Sequence, residues 1–303
     1  MLRVREQLGC SDELQRACGK NGVTIAMLDT GIAGHPDFEN RLIAFADFVN
    51  GRRDPYDDSG HGTHVAGCMC GSGMLSEGKY RGIAPASRLM VGKVLDYKGD
   101  GIIESMAKGI EWVMRNRKKY DIRILNISIG MGNDAEKERM DSLLSLVDEA
   151  WACGLIVVCA AGNAGPSDMT ISPIGARKNV ITVGCNEGGY FGERKNLCES
   201  YSSRGPSPYD VKKPDIVAPG TDIISCNAFF ERKGFRYKNA YVKKSGTSMA
   251  TPIVSGSVAL LLQKYPFYSN EQVKKKIIRT AKDLREPWNK QGAGMIQINS
   301  LLT

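Results

Sequence analysis

The sequence predicts an α/β fold in a single domain, with a mostly parallel central sheet and helices on both faces. Two observations carry this. Short, almost unbroken apolar runs alternate with longer stretches whose apolar residues recur at helical spacing. Unbroken apolar runs suit parallel strands, whose two faces are both covered. The 303 residues also hold no Pro/Gly/Ser-rich linker, internal repeat or low-complexity tract, so one domain is the simplest organisation.

Residues 23–28 form a short apolar run ending at Asp29, bounded by Asn21-Gly22 and Gly31, and read as a buried strand. Residues 42–48 and 89–95 read as two more, the second closed by a turn at Lys98-Gly99-Asp100-Gly101. Over residues 102–119 the apolar side chains Met106, Ile110, Val113 and Met114 keep helical spacing. A strand over 122–129, a helix over 136–153 stopped by Gly154, and strands over 155–159, 180–185 and 222–226 complete the alternation. Residues 229–242 read as a surface hairpin, and the residues up to Cys18 as a short amphipathic helix.

Composition narrows the function. No apolar run is long and clean enough to span a bilayer, and the first residues lack the apolar core of a signal peptide. The net charge of +8 gathers at residues 115–119 and 274–276, near the ends of predicted helices, where cations face water or complement the helix dipole. No nucleic-acid motif accompanies it, so neither nucleic acid nor membrane is expected as a partner. The 9 cysteines are irregularly spaced and include no Cys-x-x-Cys pair. Neither a disulfide framework nor a structural zinc site is therefore expected. That usage suits a reducing compartment and a cytoplasmic protein, with secretion in mature form as the alternative.

In open parallel sheets, sites form outside the carboxyl ends of the strands. Those positions hold Asp29-Thr30-Gly31, Gly130-Met131-Gly132 and Ala160-Ala161-Gly162-Asn163: an acid, a glycine-lined slot and an amide. Further on, Ser245-Gly246-Thr247-Ser248 leads into the apolar segment 253–262, so the first free N–H groups of a helix would point back at Ser248. A serine there is a nucleophile only with a base in reach. The 3 histidines are His35, His61 and His64. A histidine oriented by a carboxylate is the usual base for a serine, and Asp29, His61 and Ser248 supply those roles. His64, one helical turn on, competes with His61. His35 reads as a turn residue, and Asp57-Asp58 as a solvated turn rather than a catalytic carboxylate pair.

Asp29-Thr30-Gly31, the block running from His61 to Gly67 and the block running from Gly246 to Pro252 resemble the three signature blocks of the subtilisin-like serine proteases. Their Asp, His, Ser order is that of subtilisin. Ala160-Ala161-Gly162-Asn163 resembles the oxyanion-hole block of the same family, and the loop over 71–81 resembles that of a bacterial branch with non-secreted members. The resemblance implies a subtilisin-like fold and a serine endopeptidase that cleaves protein or peptide substrates through an acyl-enzyme on Ser248. In it His61 is general base and then acid, Asp29 orients and stabilises the imidazole, Asn163 donates to the oxyanion, and His64 is a buried structural residue. It implies substrate-binding strands at Gly99, Asp100, Gly101 and at Ser128, Ile129, Gly130, with Ala160, Ala161 and Gly162 walling the main specificity pocket. No cofactor is implied for the chemistry. Relatives often hold a structural calcium, for which Asp37 is the one ligand that can be named here, because the loop over 71–81 carries few carboxylates. Ser172-Pro173 falls where the family often has a cis peptide bond. Residues 1–21 then read as a short N-terminal segment with no long pro-domain, and 22–303 as the peptidase domain; the chain then folds unaided, is a processed fragment, or has a folding partner or inhibitor acting in trans. The rival reading is an inactive pseudoprotease that binds or regulates.

Overall fold

The computed structural model describes residues 1–17, 22–129, 137–207, 209, 211–234 and 236–303. A 7-stranded sheet forms its centre. The strands are β1 (Thr24–Asp29), β2 (Leu42–Asp47), β3 (Arg88–Lys93), β4 (Ile122–Ile127), β5 (Ile156–Ala160), β6 (Ile181–Cys185) and β7 (Ile216–Ala218). They lie in the order β2-β3-β1-β4-β5-β6-β7, and every neighbouring pair is parallel. All residues of β1 and β5 are buried, which accounts for the apolar runs 25–28 and 156–160.

Helices cover both faces. Helices α1 (Leu2–Gln7) and α2 (Asp12–Ala17) lead into the sheet, and α3 (His61–Cys70), α4 (Ile103–Asn116), α5 (Lys137–Ala152) and α6 (Thr247–Lys264) pack around it. Helix α3 lies on α6, which crosses β4, β5 and β6, whereas α4 lies on α5. The stripe on α4 is the one its spacing predicts: Met106, Ile110 and Val113 are buried. Helix α6 is buried on all sides from Thr247 to Leu262, because it runs between the sheet and α3.

Several expectations are corrected. Residues 222–226 leave the main sheet: β8 (Ile223–Cys226) pairs antiparallel with a later strand. Between them β9 (Glu231–Lys233) and β10 (Arg236–Lys238) form the expected hairpin, while β11 (Tyr241–Lys244) is the partner of β8, with Tyr241 opposite Cys226. Strand β7 is only 3 residues long, too short for any periodicity to reveal. The N-terminal stretch makes two short helices rather than one. Cys185 and Cys198 form a disulfide, against the expectation of none. Their pairing depends on a chain reversal after β6, which cysteine spacing does not encode. Cis peptide bonds occur at Gly165-Pro166, Gly205-Pro206 and Lys213-Pro214, and Ser172-Pro173 is not among them. Among the described residues no helix is long and apolar enough to cross a membrane.

Candidate active site

Asp29 is the last residue of β1 and His61 the first of α3. Their side chains meet with His61 Nδ1 at 2.7 Å from Asp29 Oδ1, which also accepts the Thr30 N–H at 2.7 Å. The carboxylate is fully buried, and Oδ2 has no hydrogen-bond partner among the described residues. This approach of helix to strand requires a glycine after His61. A Cβ on Gly62 would lie 2.2 Å from the Gly31 carbonyl oxygen.

Asp57 fixes the start of α3. It is buried, and its carboxylate accepts the N–H groups of Ser59, Gly60 and Thr63 together with the hydroxyls of Thr30 and Thr63. The Thr30 hydroxyl in turn accepts the Gly62 N–H at 2.9 Å. Two free N–H groups of the first turn are thus satisfied, that of Gly62 by Thr30, which follows Asp29, and that of Thr63 by Asp57. Below it, Lys93 is fully buried and donates to the carbonyls of Thr30 and Leu95 and to Asp58. That ammonium ties the ends of β1 and β3 to the loop before His61.

Ser248 is the second residue of α6. Among the described residues its hydroxyl and its N–H have no hydrogen-bond partner, and no bond joins it to His61. Gly246 before it adopts φ +145°, a conformation that favours glycine. Asn163 lies beside this turn. Its Oδ1 accepts both the N–H and the hydroxyl of Thr247 at 3.0 Å, which turns the amide NH₂ outward. Asn163 Nδ2 and Ser248 N lie 3.6 and 3.8 Å from the point where a Gly246 Cβ would sit. Two unused donors therefore flank one small space.

The electrostatics favour a charged imidazole. Burial of the ring pushes its pKa down, but the charge of Asp29 and its hydrogen bond outweigh this, and His61 ends above its ordinary value of 6.5. Lys244, at the end of β11, opposes protonation. His64 behaves oppositely. It is fully buried and, among the described residues, has no carboxylate partner, and burial lowers its pKa to about 3. Its Nε2 faces the carbonyls of Ile223 and Val242 at 2.9 and 3.2 Å, so it pins α3 to β8 and β11 as a neutral ring.

The model of the subtilase family matches residues 20–295 of the chain. The chain belongs to this family. Serine protease AprX of Bacillus subtilis (strain 168) is 43% identical over 293 residues, which cover 93% of this chain and 66% of that protein. Subtilisin BL of Lederbergia lenta is 34% identical over 276 residues, covering 91% of this chain and 89% of the relative. The chain thus spans just under two thirds of AprX but most of subtilisin BL. Among solved structures, Sphericase matches with a TM-score of 0.76 at 29% identity, over 92% of each chain. A cold adapted subtilisin-like serine proteinase matches with 0.70 at 29%, over 91% of this chain and 87% of its own.

Other residues picked out for their likeness to subtilases fall as follows. Gly99, Asp100 and Gly101 lie in a turn in which Asp96 accepts the Asp100 N–H, and Asp100 and Gly101 are exposed. Ser128 and Ile129 follow β4. The Ser128 hydroxyl points inward to Asn126, which the α6 residue Ser255 also engages. Gly130 lies outside the described residues. Ala160, Ala161 and Gly162 are buried, and their carbonyls are taken by Ser172 and Ser203.

One reading fails: Asp57 is no solvated turn residue but the acceptor that organises α3. His35 does stand at a turn, capping the one-turn helix Pro36–Phe38, and is also buried among Phe38, Phe230 and Tyr241. The calcium suggested for subtilases does not fit at Asp37. Calcium takes six to eight oxygens, whereas this carboxylate already accepts the Gly73 N–H and the Tyr241 hydroxyl, with Cys226 and His35 as its other neighbours. Lys93 and Lys244 were missed. A lysine within an apolar strand such as 89–95 is the one signal that would have found the first.

Proposed function

We propose that the chain is a serine endopeptidase that hydrolyses peptide bonds through an acyl-enzyme on Ser248. The observation that carries this reading is the 2.7 Å bond between Asp29 and His61 in a fold whose serine hydroxyl is held free at a helix start. Neutral His61 takes the Ser248 proton as the hydroxyl attacks the carbonyl carbon. The imidazolium then gives that proton to the leaving amine, and water repeats the sequence to release the acid. Asp29 holds the tautomer that leaves Nε2 free and stabilises the imidazolium. Asn163 Nδ2 and the Ser248 N–H stabilise the oxyanion. The substrate lies extended between the segments at 99–101 and 128–130, bonded through its main chain, with Ala160, Ala161 and Gly162 as the pocket wall.

Asn163→Ala is expected to lower kcat by about 10²–10³ with KM little changed, the range for the oxyanion amide of subtilisin. Asn163→Asp keeps the acceptor for Thr247 but replaces the donor with an anion, so it should be at least as poor. Near-normal kcat in Asn163→Asp would remove the donor role.

The pH profile tests His61. Turnover needs the neutral ring, so kcat/KM should rise with pH through one ionisation whose midpoint lies above 6.5, in the direction set by Asp29. Stability runs the other way. A raised folded pKa adds stability below the unfolded pKa and withdraws it as pH climbs through the folded value. A midpoint below 6 with the protein folded would exclude this histidine as base.

A further inference from the structure

The mismatch with calcium at Asp37 points to another ligand. Asp37 is fully buried. Its carboxylate is met by the Gly73 N–H at 2.9 Å, the Tyr241 hydroxyl at 3.1 Å from each oxygen, and the Cys226 thiol at 3.5 Å. His35 Nδ1 lies 3.8 Å away. Among the described residues no lysine or arginine pairs with this carboxylate, and Arg41 donates to the Asp37 backbone carbonyl instead. Asp57 has five neutral donors, whereas Asp37 accepts one N–H, one shared hydroxyl and a thiol, which leaves more of its charge uncompensated.

We propose that His35, Asp37 and Cys226 form a binding site for a soft divalent cation of the zinc type, separate from the chemistry at Ser248. The ligand atoms of these three buried residues lie within 4.8 Å of one another. One nitrogen, one oxygen and one sulfur make a set that zinc takes and calcium rejects. Bonds of about 2.0–2.3 Å in a tetrahedron separate neighbouring ligand atoms by roughly 3.3–3.8 Å. Cys226 Sγ lies 3.5 Å from Asp37 Oδ2 and His35 Nδ1 3.8 Å from Oδ1 of the same carboxylate, separations of that size.

The histidine is oriented for the task. His35 Nε2 lies 2.8 Å from the Ala240 carbonyl and donates to it, which leaves the Nδ1 lone pair facing Asp37. That lone pair accepts the Asp37 N–H at 3.1 Å, a bond the metal would replace. Tyr241 or a water supplies the fourth position. A surface pocket of about 360 Å³, lined in part by His35, Pro36, Met74 and Tyr237, provides the route in. The occupied site would tie the segment after β1 to the end of β8, whose partner β11 leads directly to Ser248.

The test uses the full chain, stripped with chelator and titrated with Co²⁺ alone and then Zn²⁺. One equivalent of Co²⁺ should produce a thiolate-to-cobalt charge-transfer band that Zn²⁺ removes and Ca²⁺ does not. Cys226→Ser, nearly the same in shape, should abolish the band, and Cys68→Ser and Cys70→Ser should leave it. X-ray absorption of the zinc-loaded wild type should show one sulfur at about 2.3 Å and nitrogen or oxygen at about 2.0–2.1 Å. This second measurement decides the matter if Cys226→Ser does not fold. A wild type without the band, a band that survives Cys226→Ser, or a zinc shell without sulfur would overturn the proposal. Zinc held only at His61 gives that last result.

Discussion

Ser248→Ala is expected to abolish turnover and spare the fold. Removing the serine of subtilisin lowers kcat by about 10⁶, and the same loss is expected here. The structural half of the prediction comes from this chain. The Ser248 hydroxyl has no hydrogen-bond partner among the described residues, so deleting it strands no buried group. A change within about 0.5 kcal/mol would move Tm by no more than about 1–2 °C. Hydrolysis within a hundredfold of wild type, in a purified mutant with unchanged Tm, would remove the assignment.

Asp29→Asn has the next largest effect. The amide oxygen can keep the bonds to Thr30 and His61, and the NH₂ would take the position of Oδ2, which has no partner among the described residues. Geometry survives in that orientation, but the charge that stabilises the imidazolium is gone, and an amide turned to donate to Nδ1 would also hold the ring in the wrong tautomer. A loss in kcat of about 10⁴ is expected, the size seen for this exchange in the triad of trypsin-like enzymes. The same change should lower the midpoint of the pH profile, because Asp29 is what raises the His61 pKa. A large rate loss with an unmoved midpoint would mean that Asp29 acts on the fold rather than on the imidazole.

Much of this was legible in the chain, for identifiable reasons. The strands β1 and β5 announce themselves because burial on both faces leaves continuous apolar runs, 25–28 in β1 and 156–160 in β5. Asp29, His61, Asn163 and Ser248 were legible because each follows a strand end or opens a helix, where the fold exposes side chains and N–H groups. What stayed hidden is tertiary. Asp57 looks like any acidic turn residue until Thr30, 27 positions away, and Thr63 donate to it. Lys93 looks like a charge in the wrong place until Thr30, Leu95 and Asp58 surround it. Cys226 is one of nine irregularly spaced cysteines, and only the pairing of β8 with β11 brings it to Asp37 and Tyr241. The Cys185–Cys198 disulfide was missed for the same reason.

If the His61–Asp29 pair activates Ser248 as a nucleophile, covalent labelling will read that activation. The native protein is treated with a fluorophosphonate probe, digested, and the modified peptide mapped by mass spectrometry. A single adduct on Ser248 is expected, with labelling suppressed in His61→Ala although the serine is still present. A folded wild type that takes no label, a label on another serine, or full labelling without His61 would contradict it.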